Sequence, residues 1–134
     1  MPGKGKVLEM PDVKILVVED ENHIRRSIMH ILKKNDFDPV EARDGEEALQ
    51  KIHEDRPEVV LLDIMMPGRN GYDVCRIVKR DPVLRDTYII LLTAKGQTAD
   101  WEKGIEAGAD DYITKPFSAR DILDRVEWLA NNPG

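Results

Sequence analysis

The feature that most constrains the fold of this chain is an apolar run that ends in an aspartate. Residues 59–62 read Val-Val-Leu-Leu, Asp63 follows, and a Pro-Gly pair at 67–68 comes soon after. A short apolar run bounded by turn residues is typical of a strand buried on both faces of a parallel sheet. Open α/β sheets bind ligands at the carboxyl ends of their strands, and an ionised side chain there needs a partner. Asp63 is therefore predicted to be a functional residue.

Four more strands are predicted, two of them apolar runs and two short strands next to turn residues, and segments with helical periodicity lie between them. The predicted strands are residues 14–18, 40–42, 59–63, 87–92 and 111–114. In the first predicted helix, Ile24, Ile28, Ile31 and Leu32 are expected to form the core face, and Ser118 is expected to cap the last helix. Strands that alternate with helices at this spacing predict an α/β fold, a doubly wound five-stranded parallel sheet with helices on both faces. Five strands favour the order 2-1-3-4-5.

Composition and length narrow the class of protein. The 134 residues suit one domain, which we expect at residues 13–131, after a loose arm at residues 1–12 and before a tail at residues 132–134. The net charge of −6 argues against direct nucleic-acid binding, and no apolar run is long enough for a membrane span or a signal peptide. The single cysteine, Cys75, predicts a half-buried packing residue and favours a cytoplasmic protein.

The predicted strand order places several polar side chains at one edge of the sheet. Strands one and three are neighbours, so Glu19, Asp20 and Asp63 emerge side by side, and Thr93 and Lys115 lie on the same edge. Three carboxylates in contact are unfavourable without a cation, and an all-oxygen site suits Mg²⁺. An ammonium and a hydroxyl beside them can stabilise the oxygens of a phosphoryl group, with the carboxylate as nucleophile. Asp63 is therefore predicted to be a phosphoacceptor.

Four motifs give the chain a clear resemblance to the receiver domain of two-component response regulators, over roughly residues 12–130. They are Val18-Glu19-Asp20-Glu21, Leu62 to Gly68 with Gly71, Leu92-Thr93-Ala94, and Gly108 to Phe117. The resemblance implies a flavodoxin-like or CheY-like (βα)5 fold. It also implies a phosphorylation-dependent signalling switch, which catalyses only its own phosphotransfer and slow dephosphorylation.

The resemblance assigns roles at the predicted site. A histidine kinase or a phosphotransfer protein would donate the phosphoryl group to Asp63. Mg²⁺ would be held by Asp20, Asp63 and the backbone carbonyl of Met65, with Glu19 acting through water. Thr93 and Lys115 would bind the phosphoryl oxygens, and the Lys115–Pro116 bond is usually cis in the family.

The resemblance also implies an output surface. Thr93 would pair with Tyr112 as the switch, and residues 98–131 would bind a downstream protein or a second copy of the chain. In the winged-helix branch of the family this surface dimerises through a ladder of charges. The residues that fit such a ladder are Asp110, Asp111, Asp121 and Arg125, but Trp101 and Asn132 stand where basic residues are expected. Trp128 is expected to be exposed, either as a partner contact or packed along neighbouring side chains.

Two positions are expected to set the lifetime of the phosphoryl group. Met65 lies two residues after Asp63, and Lys95 lies two after Thr93. A bulky Met65 would impede the hydrolytic water and give a lifetime well beyond seconds; the alternative is that Met65 merely covers the edge of the site.

Other functions fit the sequence less well. Haloacid-dehalogenase-type phosphatases need an acid two residues after the nucleophile, where this chain has Met65. A flavodoxin-like nucleotide site needs a Gly/Thr-rich turn after strand one, where this chain is acidic. His30 faintly resembles a phosphotransfer histidine, but a solvated surface residue is expected.

The chain has no output domain after the fifth helix, so a stand-alone regulator and a receiver cut from a longer protein both remain open.

Overall fold

The computed structural model describes residues 13–94 and 98–132, with the backbone alone for residues 98–100. The elements follow in the order β1 (Ile15–Val18), α1 (Asn22–Lys34), β2 (Val40–Ala42), α2 (Gly45–Asp55), β3 (Val59–Asp63), α3 (Gly71–Arg80), β4 (Tyr88–Ala94), α4 (Thr98–Ala107), β5 (Asp111–Lys115) and α5 (Ala119–Asn131). The predicted arm at residues 1–12, Lys95 and the last two residues of the predicted tail lie outside the described residues.

The strands form one parallel sheet in the order β2-β1-β3-β4-β5. This confirms the predicted order 2-1-3-4-5 and the doubly wound α/β class. In the ladder between β1 and β3, Val18 lies opposite Leu62, and in the next ladder Asp63 lies opposite Leu92. The carboxyl ends of β1, β3 and β4 are therefore neighbours at one edge of the sheet.

The sheet divides the core into two layers, because successive strand side chains point to opposite faces. In β1, Leu16 and Val18 pack in the layer that contains residues of α2 and α3, and Ile15 and Val17 pack in the layer that contains residues of α1 and α5. All four side chains are at most 1% exposed. Full burial of each contributes roughly 1.5–3 kcal/mol, which explains why these strands are continuous apolar runs.

The buried face of α1 differs from the predicted one. Ile24 and Ile31, which the pattern assigns to the core, are only half-buried, and Arg25 and Met29 take buried positions instead. An arginine can lie in this face because three oxygen atoms accept hydrogen bonds from its guanidinium. Ile24 and Ile31 still pack against the core, so the apolar periodicity located this face but did not identify Arg25 and Met29 as buried.

Smaller differences concern the ends of elements and the cysteine. β4 begins at Tyr88, one residue later than predicted, and continues past Thr93 to Ala94, because Ala94 still pairs with Lys115 of β5. Cys75 is fully buried, where half-burial was expected. The capping box at Ser118 begins α5 as predicted. In the described part of the chain, no helix has the length and apolar character needed to cross a membrane.

Candidate functional site

Three carboxylates meet at the carboxyl ends of β1 and β3. Glu19 and Asp20 directly follow β1, and Asp63 is the last residue of β3. One oxygen atom from each side chain lies within 4.8 Å of the other two. Glu19 is 0% exposed and Asp63 is 2% exposed, whereas Asp20 is partly exposed. We call these three residues the acidic cluster.

Lys115, at the end of β5, supplies a positive charge to the acidic cluster. Its Nζ donates one hydrogen bond of 2.9 Å to Asp63 Oδ1 and another of 3.1 Å to Glu19 Oε1. Burial lowers the pKa of Lys115, but the hydrogen bonds and charges of these two carboxylates outweigh burial and raise it. The ammonium therefore stays charged at neutral pH. The peptide bond that follows, Lys115–Pro116, is cis, as the resemblance implies.

The single positive charge of Lys115 does not fully balance the negative charges of the acidic cluster. Burial raises the pKa of Glu19 to about 7, and the nearby charge of Asp63 adds to this effect. Burial also raises the pKa of Asp63, although Lys115 partly offsets it. Buried carboxylates with raised pKa values favour a cation that would keep them ionised. A set of close carboxylate oxygens with one partly exposed member fits Mg²⁺, which prefers oxygen ligands and retains water.

The raised pKa of Glu19 predicts how stability depends on pH without metal. Between the ordinary Glu pKa of about 4.3 and a value of about 7, the folded chain holds more protons than the unfolded chain. The free energy of unfolding should therefore fall as pH rises through this window. We expect Glu19→Gln to lose less stability over the same window, measured by urea unfolding in EDTA. Parallel pH profiles for the two proteins would contradict this assignment.

Arg25 supports the acidic cluster from α1 and was not identified from the sequence. It is 6% exposed and donates hydrogen bonds of 2.8 Å to the backbone oxygen of Glu19, 2.7 Å to Asn22 Oδ1 and 2.8 Å to Glu41 Oε1. These bonds tie the loop after β1 to both α1 and β2. A signal was present in the sequence, because Arg25 lies three residues before Ile28, on the helix face that packs against the sheet.

Thr93 lies on β4, directly after Leu92, which is opposite Asp63 in the sheet, and Tyr112 lies on β5. Thr93 is 4% exposed and Tyr112 is 40% exposed. The Tyr112 ring contacts Trp101 of α4 edge to face, with ring centroids 6.1 Å apart and an interplanar angle of 74°. A cavity of about 140 Å³ is lined by these three residues together with Gly104 and Ile105. This cavity therefore leaves space between Thr93 and the partly exposed ring of Tyr112.

The residues predicted for a charged ladder have partners within this chain. Lys79 Nζ lies 2.7 Å from Asp110 Oδ2, and Arg125 Nε lies 2.9 Å from Asp111 Oδ2. Asp121 accepts a hydrogen bond from the backbone of the α5 N-cap. Ion pairs from these residues to a second copy of the chain would have to share or replace the contacts within this chain.

Four further side chains lie near the surface. Met65, in the loop after β3, is 75% exposed, and Trp128 of α5 is 59% exposed, as expected for it. His30 and His53 are exposed and lie outside the acidic cluster.

Comparison with known proteins identifies the family. The family model for the response regulator receiver domain matches residues 15–127. The phosphate regulon transcriptional regulatory protein PhoB from Escherichia coli (strain K12) is 44% identical over 114 residues, which are 85% of this chain and 50% of that protein. PhoB from Klebsiella pneumoniae matches equally. The chain therefore spans about half the length of these curated relatives.

Solved structures agree with this result. The signal receiver domain of a signal transduction histidine kinase from Syntrophus aciditrophicus has a TM-score of 0.84 and 34% identity, covering 90% of this chain and 92% of that one. The Vibrio cholerae chemotaxis protein CheY4 has a TM-score of 0.81 and 28% identity, covering 87% and 97%. The chain belongs to the response regulator receiver domain family of two-component signalling.

Proposed function

We propose that Asp63 accepts a phosphoryl group from a histidine kinase or a phosphotransfer protein, and that this modification switches the binding surface at residues 98–131. The observation that supports the proposal best is the contact of 2.9 Å between Lys115 Nζ and the buried carboxylate of Asp63, beside two further acids. A buried carboxylate at a strand end, held by one ammonium, is a suitable nucleophile for a phosphoryl group.

In the transfer step, a carboxylate oxygen of Asp63 attacks the phosphorus of the phosphohistidine donor. The new O–P bond forms as the N–P bond breaks, and the electron pair of that bond stays on the imidazole nitrogen. The product is an acyl phosphate on Asp63. Lys115 then binds a phosphoryl oxygen, and the Thr93 hydroxyl donates to another, so both residues stabilise charge on the transferred group.

The same site would hold Mg²⁺ through Asp20, Asp63 and the backbone carbonyl of Met65, with Glu19 acting through a water molecule. The oxygen donors and the raised pKa values of the two buried acids support this assignment. When bound, the ion supplies positive charge to the phosphoryl oxygens.

The switch would use the cavity between Thr93 and Tyr112. When the Thr93 hydroxyl turns toward the phosphoryl group, the Tyr112 ring can leave Trp101 and enter the cavity of about 140 Å³. This exchange changes the exposed surface formed by α4, β5 and α5. A downstream protein or a second copy of the chain would distinguish the two surfaces. The curated relatives are named as transcriptional regulators, and we propose for this chain the receiver part of such a regulator.

Met65 should prolong the life of the phosphoryl group. Its side chain is 75% exposed in the loop that follows Asp63, where a bulky apolar group would impede the attacking water. We expect a half-life well beyond seconds in purified protein with Mg²⁺, and a shorter one in Met65→Asn, measured by loss of the adduct mass after the donor is removed. A half-life of seconds in the wild type, or equal half-lives in the two proteins, would contradict this role. Met65 would then only cover the edge of the site.

The proposed function is tested by intact mass spectrometry after incubation with acetyl phosphate. We expect one phosphoryl group per chain with Mg²⁺ and none with EDTA, and size exclusion with light scattering then shows whether the modified chain self-associates. If the adduct forms but light scattering shows no increase in the molar mass of the particle, the chain does not self-associate. The search would then turn to a separate partner that binds residues 98–131. If no adduct forms with Mg²⁺, the proposal is wrong.

A further inference from the structure

A groove lies at the amino ends of the strands, on the edge of the sheet opposite the acidic cluster. Its volume is about 570 Å³, which is within the range of sites that bind small organic molecules. Its walls include the amino ends of β3 and β4, the loop before β4 and the last turn of α5. The groove is therefore separate from the site around Asp63.

Most residues that line this groove are apolar or aromatic. Val59 and Leu84 are buried, each with 2% of its surface exposed. Val83 and Trp128 also line the groove, and they are 63% and 59% exposed. Large apolar side chains that stay exposed around a concave surface are typical of a binding site. The groove thus offers apolar contact area to a ligand.

Thr87, in the wall of the groove, has a buried hydroxyl group without a partner. The residue is 8% exposed. Its backbone N–H donates to the oxygen of Leu84 at 3.0 Å, and its carbonyl accepts from Lys79 Nζ at 2.7 Å. Within residues 13–94 and 98–132, the hydroxyl itself makes no hydrogen bond. Because buried polar groups normally have a partner, this hydroxyl leaves one hydrogen bond for a ligand to supply.

The charges that line the groove favour a cation. Arg56 Nε donates to the backbone oxygen of His53 at 3.1 Å, and Glu58 Oε1 accepts from the backbone N–H of Lys14 at 2.8 Å. Asp86, the third charged lining residue, is exposed, and its carboxylate has no hydrogen bond or ion pair with any described residue. The three charges leave the groove with one net negative charge, and the carboxylate without a partner is next to Thr87 in the chain.

These features select one class of ligand. An anion would be repelled by Asp86, and a neutral apolar molecule would leave both Asp86 and Thr87 without a partner. An ammonium group has three hydrogen-bond donors and a positive charge, so it can bind a carboxylate and a hydroxyl oxygen together.

We propose that this groove binds an organic monocation, an amine whose ammonium group lies beside Asp86 and Thr87 and whose apolar body contacts Leu84 and Trp128. The charged hydrogen bond to Asp86 gives selectivity for the amine, and the apolar contacts supply most of the affinity. This binding site does not depend on phosphorylation of Asp63.

Trp128 fluorescence tests the proposal in the full chain, because Trp101→Phe leaves Trp128 as the single tryptophan. The probe is phenylbutylamine, compared with phenylbutanol and phenylbutanoate, which carry the same apolar body. We expect the amine to change Trp128 emission saturably, with a dissociation constant of about 1 mM or below. The alcohol should bind several-fold more weakly, and the carboxylate should not bind. The amine should also raise the midpoint of thermal unfolding, because it binds the folded chain.

Substitutions in the groove separate the two polar contacts. Asp86→Asn should weaken amine binding about two- to fivefold and leave the affinity for the alcohol unchanged. Asp38→Asn is the matched control, because Asp38 is also exposed but does not line the groove, and it should keep the amine affinity. Thr87→Val should weaken amine binding too. Without amine it should not lower the unfolding midpoint, since it removes a hydroxyl that has no partner in the described residues.

Four results would overturn the proposal. Equal affinity for the amine, the alcohol and the carboxylate would show an apolar surface that does not select a cation. Equal losses in Asp86→Asn and Asp38→Asn would show attraction by the net charge of −6 alone. Binding that appears only after deletion of residues 2–12 would show that the full chain does not offer the groove to a ligand. The fourth result is no change in Trp128 emission or in the unfolding midpoint at millimolar amine.

Discussion

Asp63→Asn is expected to abolish phosphoryl transfer while the fold is retained. The amide has almost the same size as the carboxylate but lacks the negative charge that attacks phosphorus. It also removes one of three close carboxylates. Because the charge of Asp63 contributes to the raised pKa of Glu19, that pKa should move back toward its ordinary value. The variant should therefore remain folded by circular dichroism and show no adduct by intact mass after incubation with acetyl phosphate and Mg²⁺.

Glu21→Gln provides the control for this change. Glu21 lies in the loop after β1 and is exposed, and its backbone N–H donates to Glu19 Oε2 at 3.2 Å. Its side chain is not a member of the acidic cluster, so the substitution removes a nearby charge without removing the nucleophile. It should form the adduct at a rate within a few-fold of the wild type. An adduct on Asp63→Asn at the wild-type rate would show that another residue accepts the phosphoryl group.

Gly71→Ala should give a large loss of stability. A Cβ atom at this position would lie 2.5 Å from the backbone oxygen of Asp63 and 2.9 Å from the Cα of Ile64. Both atoms belong to the main chain at the end of β3, so no side-chain rotation relieves the overlap. We expect a loss of about 1–3 kcal/mol or more in the free energy of unfolding, measured by urea titration. Displacement of Asp63 should also slow adduct formation.

Gly104→Ala is the matched control, because the Cβ added there would contact a side chain and not the main chain. Among the described residues, its Cβ would meet only the Cδ1 atom of Leu91, at 2.9 Å, and that methyl group can move. Ala also favours the interior of α4 by up to about 1 kcal/mol over Gly, which offsets the crowding. The change in stability should therefore be small. Equal losses in Gly71→Ala and Gly104→Ala would contradict the view that the β3 backbone leaves no room for a side chain at Gly71.

The fold was predictable because the chain repeats one simple signal. Each buried strand is a short apolar run, and in a parallel sheet successive runs end at the same edge. The position of Asp63 after Leu62 therefore indicated both the strand and the functional edge, and the order β2-β1-β3 placed Glu19 and Asp20 beside it.

Contacts between distant segments were not predictable in the same way. Arg25 binds the backbone of Glu19 and also Glu41 on another strand, and no local pattern encodes those distances. Asp110 pairs with Lys79, which lies 31 residues away; the sequence shows only the charges. A groove at the amino ends of β3 and β4 depends on where α5 ends relative to β4, which follows from packing and not from periodicity.

The measurement that tests the central claim most directly is to locate the phosphoryl group chemically. Borohydride reduces an acyl phosphate, so a phosphorylated aspartate becomes homoserine and peptide mass spectrometry can identify its position. After incubation with acetyl phosphate and Mg²⁺, we expect homoserine at position 63 and unmodified residues at positions 19 and 20. Homoserine at Asp20, or an adduct that survives reduction because it lies on a histidine or a hydroxyl group, would contradict the assignment of Asp63 as the phosphoacceptor.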